Sequence, residues 1–216
     1  MKVYEFPSSP NCLKVRAVAY ELGLDPQWVT VNVLEGESRV PAFRALNPNG
    51  LVPVLVEGDF ILWESNAILS YLATLHPVPA LLPADARGRA DVDRWLHWQS
   101  EHLGPVMSKV ALEFFLMPMS GKPESQLPVA GKSIDDFQRH CAALEDSLGD
   151  KEYIAGRLSI ADFAVGCVLH TFCLVGLDTS CFPTLDAWLQ RLLRRRSMRQ
   201  AIADSQAATR KIYTDQ

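Results

Sequence analysis

No apolar run in the 216-residue chain is long or unbroken enough to cross a bilayer, so a membrane role is not expected. The N-terminus, MKVYEFPSSP, is too short in its apolar part for a secretion signal. No Cys-x-x-Cys pair occurs, and the five cysteines, Cys12, Cys141, Cys167, Cys173 and Cys181, are odd in number and widely spread. Without a secretion signal they read as reduced thiols of a cytoplasmic protein. Charge is not concentrated either: the net value of −4 gives no sign of a polyanion partner. The basic run at Arg191, Arg194, Arg195 and Arg196 reads as the solvated face and C-terminal charge complement of a helix, with no nucleic acid expected. One metal-like spacing exists, Cys167-x-x-His170-x-x-Cys173. Two thiols and an imidazole on one apolar helix, with no fourth ligand nearby, read as core packing, and no metal is expected.

What remains is the composition of an ordinary soluble globular protein, 48% hydrophobic and 21% charged, with length for one large or two small domains. Met1–Phe6 suits a short strand, and LKVRAVAYELGL after Cys12 puts Val15, Val18, Ala19 and Leu22 at helical spacing, with Gly23 ending the helix. Trp28–Val33 alternates as a second strand, and residues 34–44 hold loop and one short helix. Val52–Val56 and Phe60–Trp63 flank Glu57-Gly58-Asp59, the punctuation of a hairpin, and Ile68, Leu72 and Leu75 begin a further helix. Strand, helix, strand, short helix, hairpin, helix makes an α/β unit of thioredoxin-like kind. Its sheet has four strands and is mixed, because a crossover joins the first two strands and a hairpin the last two. That unit takes residues 1–77. Residues 78–88, with Pro79 and Pro83, read as a linker, and residues 89–216 read as an all-helical bundle. In the bundle, Arg89–Met117 reads as one long helix, Ser133–Leu148 starts with Ser-x-x-Asp, and Ser159-Ile160-Ala161-Asp162 caps the very apolar FAVGCVLHTFCLV.

The densest motif is Asn47 to Ser65, NPNGLVPVLVEGDFILWES. Pro53 stands at the start of a strand, where a proline is tolerated at an edge, a first position or a bulge. Glu64-Ser65-Asn66 opens a helix whose N-terminus suits an anion, although Ser65 as an ordinary N-cap would also explain it. Asn-Pro-x-Gly-x-Val-Pro-x-Leu, followed by Glu-Ser, resembles the glutathione-binding half of the cytosolic glutathione transferases. The resemblance implies that Pro53 is cis and that the Val52 backbone pairs with the cysteinyl part of glutathione. It also implies that Glu64 and Ser65 hold the γ-glutamyl end. It extends to the second half, since the family has a capped, buried helix at the place of Ser159–Val175. One departure stands out: Leu51 occupies a position where the family often has Lys or Gln, which helps hold the glycyl carboxylate. Leu51 cannot donate, so Arg39 or Asn49 is expected to serve.

Ser9 followed by Pro10 makes a good N-cap and first-turn pair, a structural role that needs no ligand. In the serine-type branches of the resembled family, the activating serine stands six residues before a valine of the first helix, as Ser9 stands before Val15 here. Glutathione's thiol has a pKa near ~8.5, and a hydroxyl donor with a helix N-terminus favours its anion. Ser8, Asn11 and Cys12 are the alternatives. Asn11 matches an asparagine of bacterial members that act on glutathione disulfides, and a helix start can lower the pKa of Cys12. Tyr4 reads as structural. The resemblance thus implies a glutathione transferase of the serine type, with glutathione as co-substrate and a small hydrophobic electrophile. The electrophile is expected in an apolar cleft near Phe114, Phe115 and Met117, and the protein as a homodimer. A glutathione-dependent disulfide reductase, favoured if Asn11 or Cys12 matters more, and a non-catalytic binding protein, suggested by Leu51, remain the other readings.

Overall fold

The computed structural model describes residues 1–78, 80–111 and 129–214. Four short strands, β1 (Lys2–Glu5), β2 (Gln27–Thr30), β3 (Val54–Glu57) and β4 (Phe60–Trp63), form one sheet in the order β2-β1-β3-β4. β1 and β2 run parallel, while β3 is antiparallel to both β1 and β4, which is the expected mixed sheet. β2 ends at Thr30, earlier than the alternation suggested, because Asn32 leaves the sheet and accepts at Oδ1 from the Leu34 amide at 3.2 Å.

Side chains alternate across the sheet as strand geometry requires. Val3 and Leu55 are fully buried, as are Val15 and Val18 of α1 (Pro10–Glu21) and Ile68 and Leu72 of α3 (Ser65–Leu75). Tyr4 and Val54 belong to a smaller cluster with Val31 and with Phe43 of α2 (Pro41–Arg44). The Tyr4 and Phe43 rings meet edge-on at 6.1 Å, in keeping with a structural Tyr4. A 3₁₀ turn, Glu37–Arg39, precedes α2. Gly23 stops α1 with φ +72, and the Leu24 amide reaches back to the Ala19 carbonyl at 2.8 Å.

The chain divides into two compact units, Met1–Pro83 with Leu193–Gln216, and Ala84–Leu192. The last helix, α9 (Arg196–Thr214), therefore sits with the sheet rather than with the bundle in which residues 89–216 were expected. Side-chain chemistry explains this. Tyr20 of α1 donates to Asp204 at 2.8 Å, Glu21 takes the guanidinium of Arg195 and the hydroxyl of Ser197, and Ser8 meets Thr209 at 3.1 Å. Helical periodicity marks α9 as amphipathic but does not say which surface its apolar face covers.

The second unit is helical throughout its described residues. α4 (Ala86–Trp98) is capped by Asp85, whose carboxylate accepts from the Gly88 amide at 2.8 Å. The expected single helix over Arg89–Met117 runs without interruption through its described part, with a π-helical turn, Gln99–Leu103, between α4 and α5 (Gly104–Ala111), and its residues 112–117 lie outside the described residues. Pro105 has no N–H to give to the carbonyl four residues back, so a regular turn loses its bond there. α6 runs Val129–Leu148, which places Ser133 inside the helix rather than at its cap. α7 (Ile160–Leu174) is buried at every position from Ile160 to Leu169, and α8 (Pro183–Leu193) lays Leu185, Trp188 and Leu192 inward. Among the described residues, no helix is long and apolar enough to cross a membrane.

Candidate functional site

Three connections of the chain meet at one end of the sheet. Tyr4 lies opposite Val54 in the antiparallel pair, so the chain leaving β1 at Phe6 runs beside the chain that enters β3 at Val52. Trp63 also lies opposite Val54, so Glu64 and the start of α3 emerge at that same end. The amide of Ser9 donates to the Phe6 carbonyl at 2.9 Å, a tight turn that brings the start of α1 there too. The Val52–Pro53 peptide is cis, and Val52 lies outside the ladder, which begins at Val54.

Ser9 is the N-cap residue of α1 in extended conformation, with Pro10 at the first helical position, but its hydroxyl makes no capping bond. The capping role that explains Ser9 from sequence is therefore not taken up by its side chain. The neighbouring candidates differ in where their atoms are engaged. The Ser8 hydroxyl is occupied with Thr209. Asn11 is exposed and accepts at Oδ1 from the Ser65 hydroxyl at 3.4 Å, which joins the first turns of α1 and α3. Cys12 is fully buried, and burial pushes its thiol up to about 12 against the pull of hydrogen bonds at Phe6 and Ser9. At neutral pH it is a protonated core thiol, not a thiolate nucleophile.

The start of α3 is unusual. Its N-cap is Glu64, not Ser65, and no side chain caps it. The first-turn amides of any helix lack intrahelical acceptors, and together they form a ready seat for an anion. Glu64 has φ +72, the one non-glycine among the described residues with positive φ. Such backbone costs of order 1–3 kcal/mol and concentrates at binding sites. Glu64 is exposed, while Ser65 is buried to 9% exposure.

The loop that delivers Val52 is held by a residue to which sequence reasoning gave no role. Asn47, buried to 2%, donates from Nδ2 to the Leu51 carbonyl at 2.8 Å and accepts at Oδ1 from the Asn49 amide at 3.0 Å. Its place in the Asn-Pro-x-Gly motif was the available signal. Gly50 follows with φ +65, and a Cβ there would stand 2.9 Å from the Ser38 carbonyl oxygen. That close approach sets the turn containing Arg39 against the loop containing Leu51. Arg39 and Asn49 are both exposed, and the Leu51 side chain is 62% exposed. Ser9, Asn11, Val52, Pro53, Glu64 and Ser65 thus share one end of the sheet, with Arg39 and Leu51 on the flanking loops. Phe114, Phe115 and Met117 lie outside the described residues.

Residues 3–80 match the family model for the glutathione S-transferase N-terminal domain, and residues 107–196 that for the C-terminal domain. Glutathione S-transferase 3 of Zea mays is 35% identical over 166 residues, covering 75% of this chain and 73% of that protein. Glutathione S-transferase D7 of Anopheles gambiae is 32% identical over 198 residues, 88% of this chain and 84% of that one. The solved structure of a glutathione S-transferase from Pseudomonas fluorescens superposes with a TM-score of 0.81 at 33% identity, covering 91% of this chain and 96% of the other.

Proposed function

The chain belongs to the glutathione S-transferase family, and we propose that it is a glutathione transferase of the serine type that uses glutathione as co-substrate. Ser9 donates a hydrogen bond to the sulfur of bound glutathione and, with the start of α1, favours the thiolate. The proton leaves to solvent, the sulfur attacks the electrophilic carbon, a C–S bond forms, and the leaving group departs with its electron pair. Val52 pairs through its backbone with the cysteinyl part, and Pro53 sets the direction of the chain there. The amides at the start of α3 and the Ser65 hydroxyl receive the γ-glutamyl carboxylate, and Glu64 receives its ammonium. Asn11 supports Ser65, and Arg39, beside the Leu51 loop, is assigned to the glycyl carboxylate.

One observation carries this reading: the Ser9 hydroxyl stands at a helix start, turned to the Cys12 thiol rather than into a capping bond, at the same sheet end as Val52 and Ser65. The disulfide reductase reading is not favoured, because Cys12 is buried and its thiol is pushed up to about 12. A non-catalytic role is not favoured by the named relatives. The electrophile is a small hydrophobic molecule, assigned to the side chains of Phe114, Phe115 and Met117. A homodimer is supported by the apolar side chains that β4 leaves exposed, Phe60 at 42% and Trp63 at 37%. A cytoplasmic location is supported by five free cysteines.

The test is conjugation of glutathione to chlorodinitrobenzene at pH 6.5, where little free thiolate exists. Wild type should accelerate it, and Ser9→Ala should lose about tenfold or more, the effect of one pKa unit in the thiol. Equal rates in the two proteins would contradict the role of Ser9, and no acceleration by wild type would contradict the transferase activity.

A further inference from the structure

Lys14 lies one helical turn beyond Asn11 on α1 and is only 1% exposed. A lysine seldom reaches such burial without firm partners, because removing an ammonium from water is costly. Its Nζ donates to Asn66 Oδ1 at 2.7 Å. Asn66 is the residue after Ser65, and the Ser65 hydroxyl donates in turn to Asn11 at 3.4 Å. Two cross-links therefore join the first two turns of α1 to the start of α3, Asn11 to Ser65 and Lys14 to Asn66. Core packing alone does not call for this chemistry. An unbranched apolar side chain of similar length would fill the same space, and replacing buried charge by apolar atoms is often neutral or stabilising.

We propose that Lys14 is a positioning residue of the glutathione site, fixing the start of α3 through Asn66 so that the anion-binding amides and the Ser65 hydroxyl face the γ-glutamyl carboxylate. This rests on the transferase reading and goes beyond it, since Lys14 touches no part of the substrate in that reading. Lys14 acts on recognition of one end of the peptide rather than on sulfur, which belongs to Ser9.

The discriminating ligand is cysteinylglycine, which keeps the thiol and the glycyl end and lacks the γ-glutamyl group. In Lys14→Met the KM for glutathione should rise about tenfold with kcat at saturation little changed, while the KM for cysteinylglycine should stay at its wild-type value. Lys14→Arg should recover part of the loss, since it keeps a donor for Asn66. Asn66→Ala, which removes the acceptor and keeps the lysine, should move glutathione KM in the same direction and serves if Lys14→Met does not fold. A lowered melting temperature with both KM values unchanged, or a rise in KM equal for the two ligands, would overturn the proposal alone. Wild type that binds no glutathione would overturn the transferase reading and this proposal together.

Discussion

Cys12 lies in the first turn of α1, three residues after Ser9, and is fully buried with its thiol pushed up to about 12. Cys141 is likewise buried and pushed up to about 12, chiefly by burial, whereas Cys181 is exposed. Native protein treated with a disulfide reagent at pH 7.5 should therefore lose one thiol rapidly, and Cys181→Ser should remove that phase. Cys12 and Cys141 should react only on unfolding, and rapid labelling of Cys12 in the folded protein would contradict its assignment to the core. The helix that carries Cys12 was readable in sequence from the spacing of Val15, Val18 and Ala19, although α1 is buried at every position from Cys12 to Ala19 rather than along one stripe. The state of Ser9 was not. Serine before proline announces a helix start, but whether its hydroxyl caps the helix or turns to a neighbour, here the Cys12 thiol, depends on one rotamer. The positive φ of Glu64 was equally hidden, because an ordinary glutamate residue gives no local sign of left-handed backbone.

At the scale of the element, Ser159-x-x-Asp162 was legible as a cap, yet it does more than end a helix. Asp162 accepts from the Ile154 and Ser159 amides, from the Ser159 hydroxyl, and from the Trp188 indole of α8 at 2.9 Å. Burial raises its carboxyl from the usual range, and these donors oppose that. Ser159→Ala should cost about 1 kcal/mol, the usual price of a cap. Asp162→Ala should cost roughly 3 kcal/mol or more, because it strands several buried donors at once. Denaturant unfolding of the two variants checks this, and equal losses would mean that the Trp188 and Ile154 bonds contribute nothing. The cap pattern appears in four neighbouring residues, while the link to Trp188 spans 26 residues and cannot be read from local spacing. The π-helical turn within the long helix has the opposite character. Gly104-Pro105 was present in the sequence, and apolar periodicity ran straight through it.

At the scale of the whole molecule, one compact unit is built from both ends of the chain, with α9 tied to α1 through Glu21 and Tyr20 and to the residue Ser8 before it. The mixed sheet, the hairpin and the helical character of the rest followed from periodicity and turn residues, but long-range returns such as this one leave no local mark. Glu21 gives the return a pH signature. Its burial favours the neutral carboxyl, but hydrogen bonds from Arg195 and Ser197, with the charge of Arg195, outweigh that and hold its pKa below the ordinary 4.5. A carboxylate depressed in the folded state contributes stability that is complete above the ordinary value and is lost as pH falls through the folded one. The melting temperature of wild type should exceed that of Glu21→Gln at pH 7, and the two should converge on acidification below about pH 4. Parallel curves would contradict the assignment.

The account turns on whether Ser9 makes bound glutathione a thiolate, and titrating the bound thiol by ultraviolet difference absorbance in wild type and Ser9→Ala tests that most directly. The bound thiol in wild type should ionise at least one unit below the free value of about 8.5, and in Ser9→Ala the midpoint should return toward it. Glutathione bound with the same midpoint in both proteins would contradict the serine mechanism.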